Sequence, residues 1–312
     1  MTYLLQRATG KKVNFSASSA KTFKDCPRKW YFSKVMGEPD PSGPAADYGN
    51  VVHDALETWM RGGPLDVADG VRTAYEGQGF RDPLDCAQSG VDLLVAEGYP
   101  KKSLQAEIWL PRSTIYEGPE GRMDVVGKVD LSRAPAEGPP RIDDYKTKSG
   151  NRYLETPETI TREAQLRLYT AVLGNHWGLD AHHTVDVSHI YLWSKRNGPA
   201  ERVGGKLSMD VATEFFERQR ETARTMLAVG QAATPDEVRA NRTACSKYGG
   251  CPFRSICAEG KPQGGADLFA AMSTTPTAQA ANEEPTMALS FKKPAPTPET
   301  PNSIGVSTRI WS

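Results

Sequence analysis

An α/β architecture, a central mixed β-sheet flanked by helices, follows from three features of the chain. Residues 48–61 carry Val52, Leu56, Trp59 and Met60 at helical spacing, and helical periods continue over 65–78 and 84–97. From Leu104 the period shortens to that of strands, over 104–110, 113–117, 123–131 and 141–147. A helix over 158–174 then separates these strands from a further alternating strand, 184–194, and a long helix over 209–229 closes the pattern. Strands joined partly by turns and partly by a crossover helix make a mixed sheet with helices packed on it.

Composition narrows the function. At 312 residues the chain buries a full core and holds one large domain or two small ones. Lys+Arg, 38, equals Asp+Glu, 38, so any nucleic-acid surface has to be a local patch. No run of eighteen apolar residues exists, and the first fifteen lack the apolar stretch of a signal peptide. A cytoplasmic protein with no membrane partner is therefore expected. Five cysteines in such a chain point to metal binding or spare thiols rather than to a disulfide framework.

In chain order, residues 1–14 show no clear period. Ser16 or Ser18 is placed to cap a short helix, and Pro27 to open the next one. Arg28 and Lys29 at that second start suit a phosphate, and Trp30 and Tyr31 suit a stacked base; a core aromatic cluster with solvated charges reads equally well. Residues 38–46 are a Pro/Gly/Ser loop. His53 lies beside the apolar stripe of the next helix, a place where a satisfied boundary histidine is commoner than a ligand. The helical segments 65–78 and 84–97 form an insert over about 62–100, with Cys86 a spare thiol. The strands 104–110 and 113–117 read as a hairpin, with Glu107 directed either into a site or into solvent. In the helix 158–174, Gln165 and Tyr169 are four apart and share a face. Past about residue 260 the composition collapses to Ala, Thr, Pro, Glu, Gln and Ser. The segment 261–312 therefore reads as a disordered low-complexity tail, with a docking peptide ending in Ile310-Trp311 as the alternative.

The chemistry concentrates in Arg141-Ile-Asp-Asp-Tyr-Lys-Thr-Lys148. Alternation puts Asp144 and Lys146 on one face and Asp143 on the other, where it is dispensable for chemistry. A turn at 137–140 folds this strand back on 125–131, bringing Asp130 close. Hard carboxylate oxygens suit Mg²⁺ or Mn²⁺, and a neighbouring ammonium holds a water or takes up charge on a phosphate. Taken alone, the segment reads equally as a surface hairpin with an ordinary Asp/Lys pair. Cys245, Cys251 and Cys257, spaced six apart around Gly-Gly and Pro, form a ligand loop that needs a fourth donor, and Cys26 is the candidate. Thiolate spacing does not separate zinc from an iron–sulfur cluster.

Together these segments resemble the RecB-like branch of the PD-(D/E)XK nuclease superfamily, and within it the CRISPR-associated RecB-like exonucleases and their phage-borne relatives. Phe15-Ser16…Cys26-Pro27-Arg28-Lys29-Trp30 is similar to the N-terminal block, and Gly49-Asn-Val-Val-His53 to the GxxxH element. Gly127-Lys-Val-Asp130 matches GxxD, Asp144-Tyr-Lys146 matches DxK, and Gln165-Leu-Arg-Leu-Tyr169 matches QxxxY. The trailing cysteines complete six blocks in the family's order over residues 15 to 257. No single block is specific; the ordered set is.

The resemblance implies a restriction-endonuclease-like core with a cysteine clasp, spanning residues 1–260. It implies that His53, Asp130, Asp144 and the Tyr145 carbonyl bind Mg²⁺ or Mn²⁺, with Glu107 a further candidate. Lys146 would orient the water and stabilise phosphate charge, and Gln165 and Tyr169 would place the DNA or brace Lys146. Cys26, Cys245, Cys251 and Cys257 would hold a [4Fe–4S] cluster, with zinc the alternative. The implied activity is exonucleolytic hydrolysis of DNA from single-stranded ends in replication, recombination or repair, beside a helicase or recombination partner. A non-catalytic DNA-binding adaptor on the same fold is the alternative. Two departures stand out. The cysteine triplet lacks the CxxC pair common in the family, and a second GxxD, Gly121-Arg-Met-Asp124, precedes the first. Asp130 is preferred because it lies closer to the turn into the DxK strand.

Overall fold

The structure, a computed structural model, describes residues 2–98, 104–152, 154–246 and 250–260, all within one compact unit, Met1–Lys261. The expected tail, 261–312, lies outside the described residues.

Ser16 accepts the Ser19 N–H at 3.1 Å and caps α1 (Ala17–Asp25), and Pro27 opens α2 (Pro27–Trp30). A π-helical turn, Tyr31–Met36, follows and ends on Gly37. Here the core-cluster alternative wins: Trp30 and Tyr31 are fully buried, and their polar tips donate to Ser19 Oγ at 3.0 Å and Ala232 O at 2.6 Å. Arg28 is corrected with them. It is buried, donating from Nε to Val238 O at 2.7 Å, with Nη1 3.4 Å from Asp236, so its guanidinium ties down the returning chain instead of facing a phosphate. Lys29 stays partly exposed, 3.9 Å from Asp40.

Helices α3 (Pro44–Met60), α4 (Asp69–Glu76) and α5 (Pro83–Ala96) come next. Leu56, Leu94 and buried Cys86 pack with Tyr145, Ile190 and Leu192 of the sheet. The strands are β1 (Gln105–Trp109), β2 (Ser113–Gly118), β3 (Gly121–Val125), β4 (Lys128–Arg133) and β5 (Arg141–Lys148). After α6 (Pro157–Ile160) and α7 (Ala164–His176) come β6 (Thr184–Trp193), β7 (Glu201–Ser208) and α8 (Met209–Gly230). The main sheet runs β1-β4-β5-β6-β7, parallel between β5 and β6 and antiparallel elsewhere; β2 and β3 pair separately. Helices α7 and α8 cover one side through Leu166, Val172, Met226 and Leu227, packed with Ile142 and Val187. This is the mixed sheet flanked by helices that the period changes imply.

Four expectations change. Strand β1 pairs with β4 and not with β2, because Pro111-Arg112 offers no residue suited to the positive φ of a tight hairpin turn. Strand β2 turns instead through Gly118-Pro-Glu-Gly121 into β3. The single strand expected over 123–131 is two, broken at Val126-Gly127. A Cβ on Gly127 would stand 2.7 Å from the Tyr169 ring and 2.9 Å from Leu110, so that close crossing requires glycine. The helix expected over 158–174 divides at Thr161–Glu163, where Glu163 accepts the Gln165 and Leu166 N–H groups at 2.6 and 2.9 Å and caps α7. Strand β7 was not expected, because Gly204-Gly205 at its centre removes the alternating pattern. Among the described residues no helix is long and apolar enough to cross a membrane.

Strands β4 and β5 carry three buried carboxylates, Asp130, Asp143 and Asp144. Val129, Leu131 and Ile142 in the same strands are wholly buried, each contributing about 1.5–3 kcal/mol, which offsets part of that cost.

Candidate active site

The alternation of β5 turns Asp144 and Lys146 toward α7 and Asp143 toward the opposite face. Lys146 Nζ contacts Asp144 Oδ2 directly and donates to Gln165 Oε1 at 3.2 Å. Gln165 Nε2 donates to Asp144 Oδ1 at 2.6 Å and to Tyr169 OH at 3.1 Å, one helical turn on. The Tyr169 hydroxyl in turn donates to Lys128 O at 3.0 Å. Every polar atom of the Gln165 amide is thus used to fix the Asp144–Lys146 pair.

Asp130 owes its place to a parting of strands. The last ladder pair between β4 and β5 is Leu131–Asp143; one position further, Asp130 Oδ2 accepts the Tyr145 N–H at 2.7 Å in place of a main-chain carbonyl. His53, from α3, brings Nδ1 to 3.6 Å from the same oxygen. Glu107, between the ladder pairs Ala106–Leu131 and Ile108–Val129, adopts φ +54° and is buried. That left-handed backbone costs on the order of 1 kcal/mol in a non-glycine residue, a cost tolerated where function fixes a side chain. Lys128 Nζ sits 2.5 Å from Glu107 and 3.1 Å from Glu57. The ligand atoms of His53, Glu107 and Asp130 all lie within 4.8 Å of one another, the one such group among the described residues. Asp124, the rival GxxD carboxylate, belongs to the separate hairpin and is bound by Arg122, Thr114 and Tyr3.

Electrostatics set these groups against each other. Burial pushes the Asp144 carboxyl up to about 7; Lys146 pulls it down, and the Asp130 charge pushes it further up. Burial also raises Glu107. For His53, burial opposes the imidazolium, but the hydrogen bond and charge of Asp130 outweigh it and the pKa rises. Lys146 behaves alike: desolvation lowers it, Asp144 more than compensates, and it stays an ammonium. One imidazole and crowded carboxylates that resist ionisation together are a donor set for a hard divalent cation, and the residues present fit Mg²⁺ or Mn²⁺. A pH dependence follows. Between about 4 and 7 folded Asp144 holds a proton that the unfolded chain has released, so it withdraws stability as pH rises across that window. His53, raised above 6.5, continues the fall beyond it. Mn²⁺ binds the ionised forms, so it should raise the melting temperature more at pH 8 than at pH 6. Melting curves with Mn²⁺ and with EDTA at both pH values check this; an equal gain at both would count against the site.

Two polar residues here escaped sequence reasoning. His189 stands beside Asp144 in the β5–β6 ladder, its Nε2 3.8 Å from Asp144 Oδ2; burial first, then Lys146 and Lys148, lowers its pKa to about 3, so the ring is neutral. Its signal was a histidine inside an apolar strand, but only the parallel register joins it to Asp144. Lys128, inside the GxxD block itself, was overlooked because its partners Glu57 and Glu107 come from distant elements.

Cys26 and Cys257 lie at the α1–α2 junction, with Cys245 and Cys251 on the segment that returns to it. Cys26 Sγ accepts the Asn241 N–H at 3.4 Å, while the Asn241 side chain donates to Asp25 O at 2.8 Å. Cys257 Sγ lies 3.9 Å from Arg28 Nη1, and Cys251 donates its N–H to Cys245 O at 3.0 Å. Phe32 and Phe253 stack beside them at 5.4 Å. Burial raises the Cys251 thiol.

A mixed sheet carrying acid, acid and lysine at the parting of two strands defines a nuclease class of fold. The chain belongs to the PD-(D/E)XK nuclease superfamily, whose sequence profile matches residues 14–258. The crystal structure of a candidate exonuclease from Eubacterium rectale is similar in fold, with a TM-score of 0.50 at 16% identity, covering 83% of this chain and 93% of that one. The crystal structure of SSO0001 is a more distant likeness, with a TM-score of 0.37 at 13% identity over 81% of this chain and 89% of that one. No curated protein sequence matches the chain.

Proposed function

We propose that this nuclease is a Mg²⁺- or Mn²⁺-dependent DNA exonuclease of the RecB-like branch, acting from single-stranded ends. The observation that carries the reading is the convergence of His53, Glu107 and Asp130 beside the Asp144–Lys146–Gln165 network. His53, Asp130, Asp144 and the Tyr145 carbonyl would hold the cation, with Glu107 available as a further ligand. A bound divalent ion polarises a phosphoryl oxygen and lowers the pKa of coordinated water. Lys146, kept protonated, holds the attacking water by hydrogen bonding and offsets charge growing on the phosphate. Gln165 and Tyr169 fix the Lys146 ammonium, and neutral His189 fills the space beside Asp144 without competing for charge. Lys29 is left as a backbone contact.

Trp109 favours a single-stranded substrate. It is 70% exposed at the end of β1, in the ladder pair with Lys128 and two residues along the strand from Glu107. Stacking of an unpaired base on its ring is worth about 1–3 kcal/mol. Linear single strands should therefore be shortened faster than linear duplex, and single-stranded circles should survive. Trp109→Ala should raise KM for the single strand about tenfold. Rapid cutting of circles would overturn exonuclease action, and an unchanged KM would overturn the stacking role.

Cys26, whose Sγ accepts the Asn241 N–H, and Cys257, whose Sγ lies beside Arg28, would with Cys245 and Cys251 hold a [4Fe–4S] clasp joining both ends of the domain. Iron and sulfide at four per chain after anaerobic purification are expected; stoichiometric zinc without sulfide would replace the cluster by a zinc site. An adaptor that binds DNA without cutting it is the second reading. The complete set of acid, acid and lysine speaks against it, since binding alone requires none of these buried charges.

A further inference from the structure

A second cluster of charge lies outside the catalytic row. A cavity of about 240 Å³ opens between the N-terminal segment, the start of α1 and the β3–β4 break, lined by Lys11, Lys12, Asn14, Ser16, Lys34 and Val126. Three ammonium groups border it and no carboxylate does. In a chain whose 38 basic and 38 acidic residues cancel, this grouping is a local positive patch. The lysines are exposed, and among the described residues none pairs with an acid; Lys12 instead lies 3.6 Å over the Tyr3 ring. The first turn of α1 also contains no acidic residue. Lys21 with Asp25 and Lys206 with Asp186, by contrast, have close acidic partners.

The cavity's position gives it a purpose. Val126, on its rim, is exposed and immediately precedes Gly127, whose backbone crosses Tyr169, the residue that braces Gln165. Val126 and Asp130 are four positions apart, at most roughly 13 Å of extended chain. We propose that this lysine-lined cavity holds a backbone phosphate of the substrate strand, a short run of nucleotides away from the phosphate that is cut. The inference rests on the nuclease reading and adds to it a sequence-independent grip that keeps the strand in register during successive cuts. Ammonium groups suit this role, since they act as point charges for phosphates and read no base.

The test is strand affinity in an Asp144→Asn background with Mn²⁺, which blocks cutting. The probes are a 20-nucleotide single strand and a dinucleotide, whose single internal phosphate cannot occupy both places. Lys11→Gln with Lys34→Gln should weaken binding of the long strand about tenfold and reduce the slope of log affinity against log salt by about 1.4. The advantage of the long strand over the short one should shrink by the same factor. Lys206→Gln with Arg218→Gln makes the same change in net charge elsewhere and should alter affinity less than about twofold. If the pocket variant binds the long strand as the parent does, or the distant pair costs as much, the pocket has no such role. If the parent binds no strand at all, the nuclease reading itself fails.

Discussion

Asp144→Asn and Lys146→Met should each lower DNA hydrolysis at least about 10³-fold while leaving the protein folded. Among the described residues Asp144 is the only carboxylate that meets both the ammonium of Lys146 and the amide of Gln165, so it links the metal-type cluster to the fixed cation. Its burial pushes its pKa to about 7, so the free protein carries this carboxylate at a cost. Asparagine keeps the shape and an acceptor for Gln165 and removes the strained charge, so the melting temperature in EDTA should move by only a few degrees. Single-turnover cleavage and thermal melts on the same preparations separate lost chemistry from lost fold. Near-normal cleavage by either variant would remove its residue from the mechanism.

The neighbouring carboxylate should behave in the opposite way. Asp143 is 1% exposed on the other face of β5, where Oδ1 meets Arg202 Nη1 at 2.7 Å, Arg141 Nε at 3.0 Å and Ser188 Oγ at 2.6 Å. Arg202 also binds Glu97, 2.8 Å away, clasping β7 to the end of α5. Asp143→Ala leaves two largely buried guanidinium groups short of their counter-charge, a loss of about 3–5 kcal/mol. For a domain of this size that lowers the melting temperature by roughly 10 °C. The surviving folded fraction should keep its cleavage rate. Adjacent residues of one strand would then divide cleanly, one costing activity and the other stability. A stable but inactive Asp143→Ala protein would contradict that division.

Much of this site was legible in the sequence because its decisive relations are local. The parity of Asp144 and Lys146, the four-residue step from Gln165 to Tyr169, and the Ser16 and Pro27 helix starts follow from single-element geometry. The fold class was legible for the same reason, as changes of period along the chain. What was hidden depends on pairing between distant strands. Nothing in residues 104–110 announces β4 as their partner, and only that pairing carries Glu107 to Asp130. His189 reaches Asp144 through a parallel register that no local pattern encodes. Arg28 read as a phosphate contact because charge at a helix start suggests one, whereas its partners, Val238 and Asp236, return from some two hundred residues later. Parity puts Asp143 on the face away from Asp144 and Lys146, but its structural weight depends on Arg202, in a strand masked by its own glycines.

The central claim is that this row of residues hydrolyses phosphodiesters with a divalent cation. The most direct measurement is release of acid-soluble nucleotide from linear single-stranded DNA by the purified full chain, in Mn²⁺, in EDTA, and in EDTA followed by excess Mn²⁺. Release with Mn²⁺, none in EDTA and recovery on adding the ion back is the expected result. Tight DNA binding without release under any divalent ion, or release that EDTA does not stop, would contradict it.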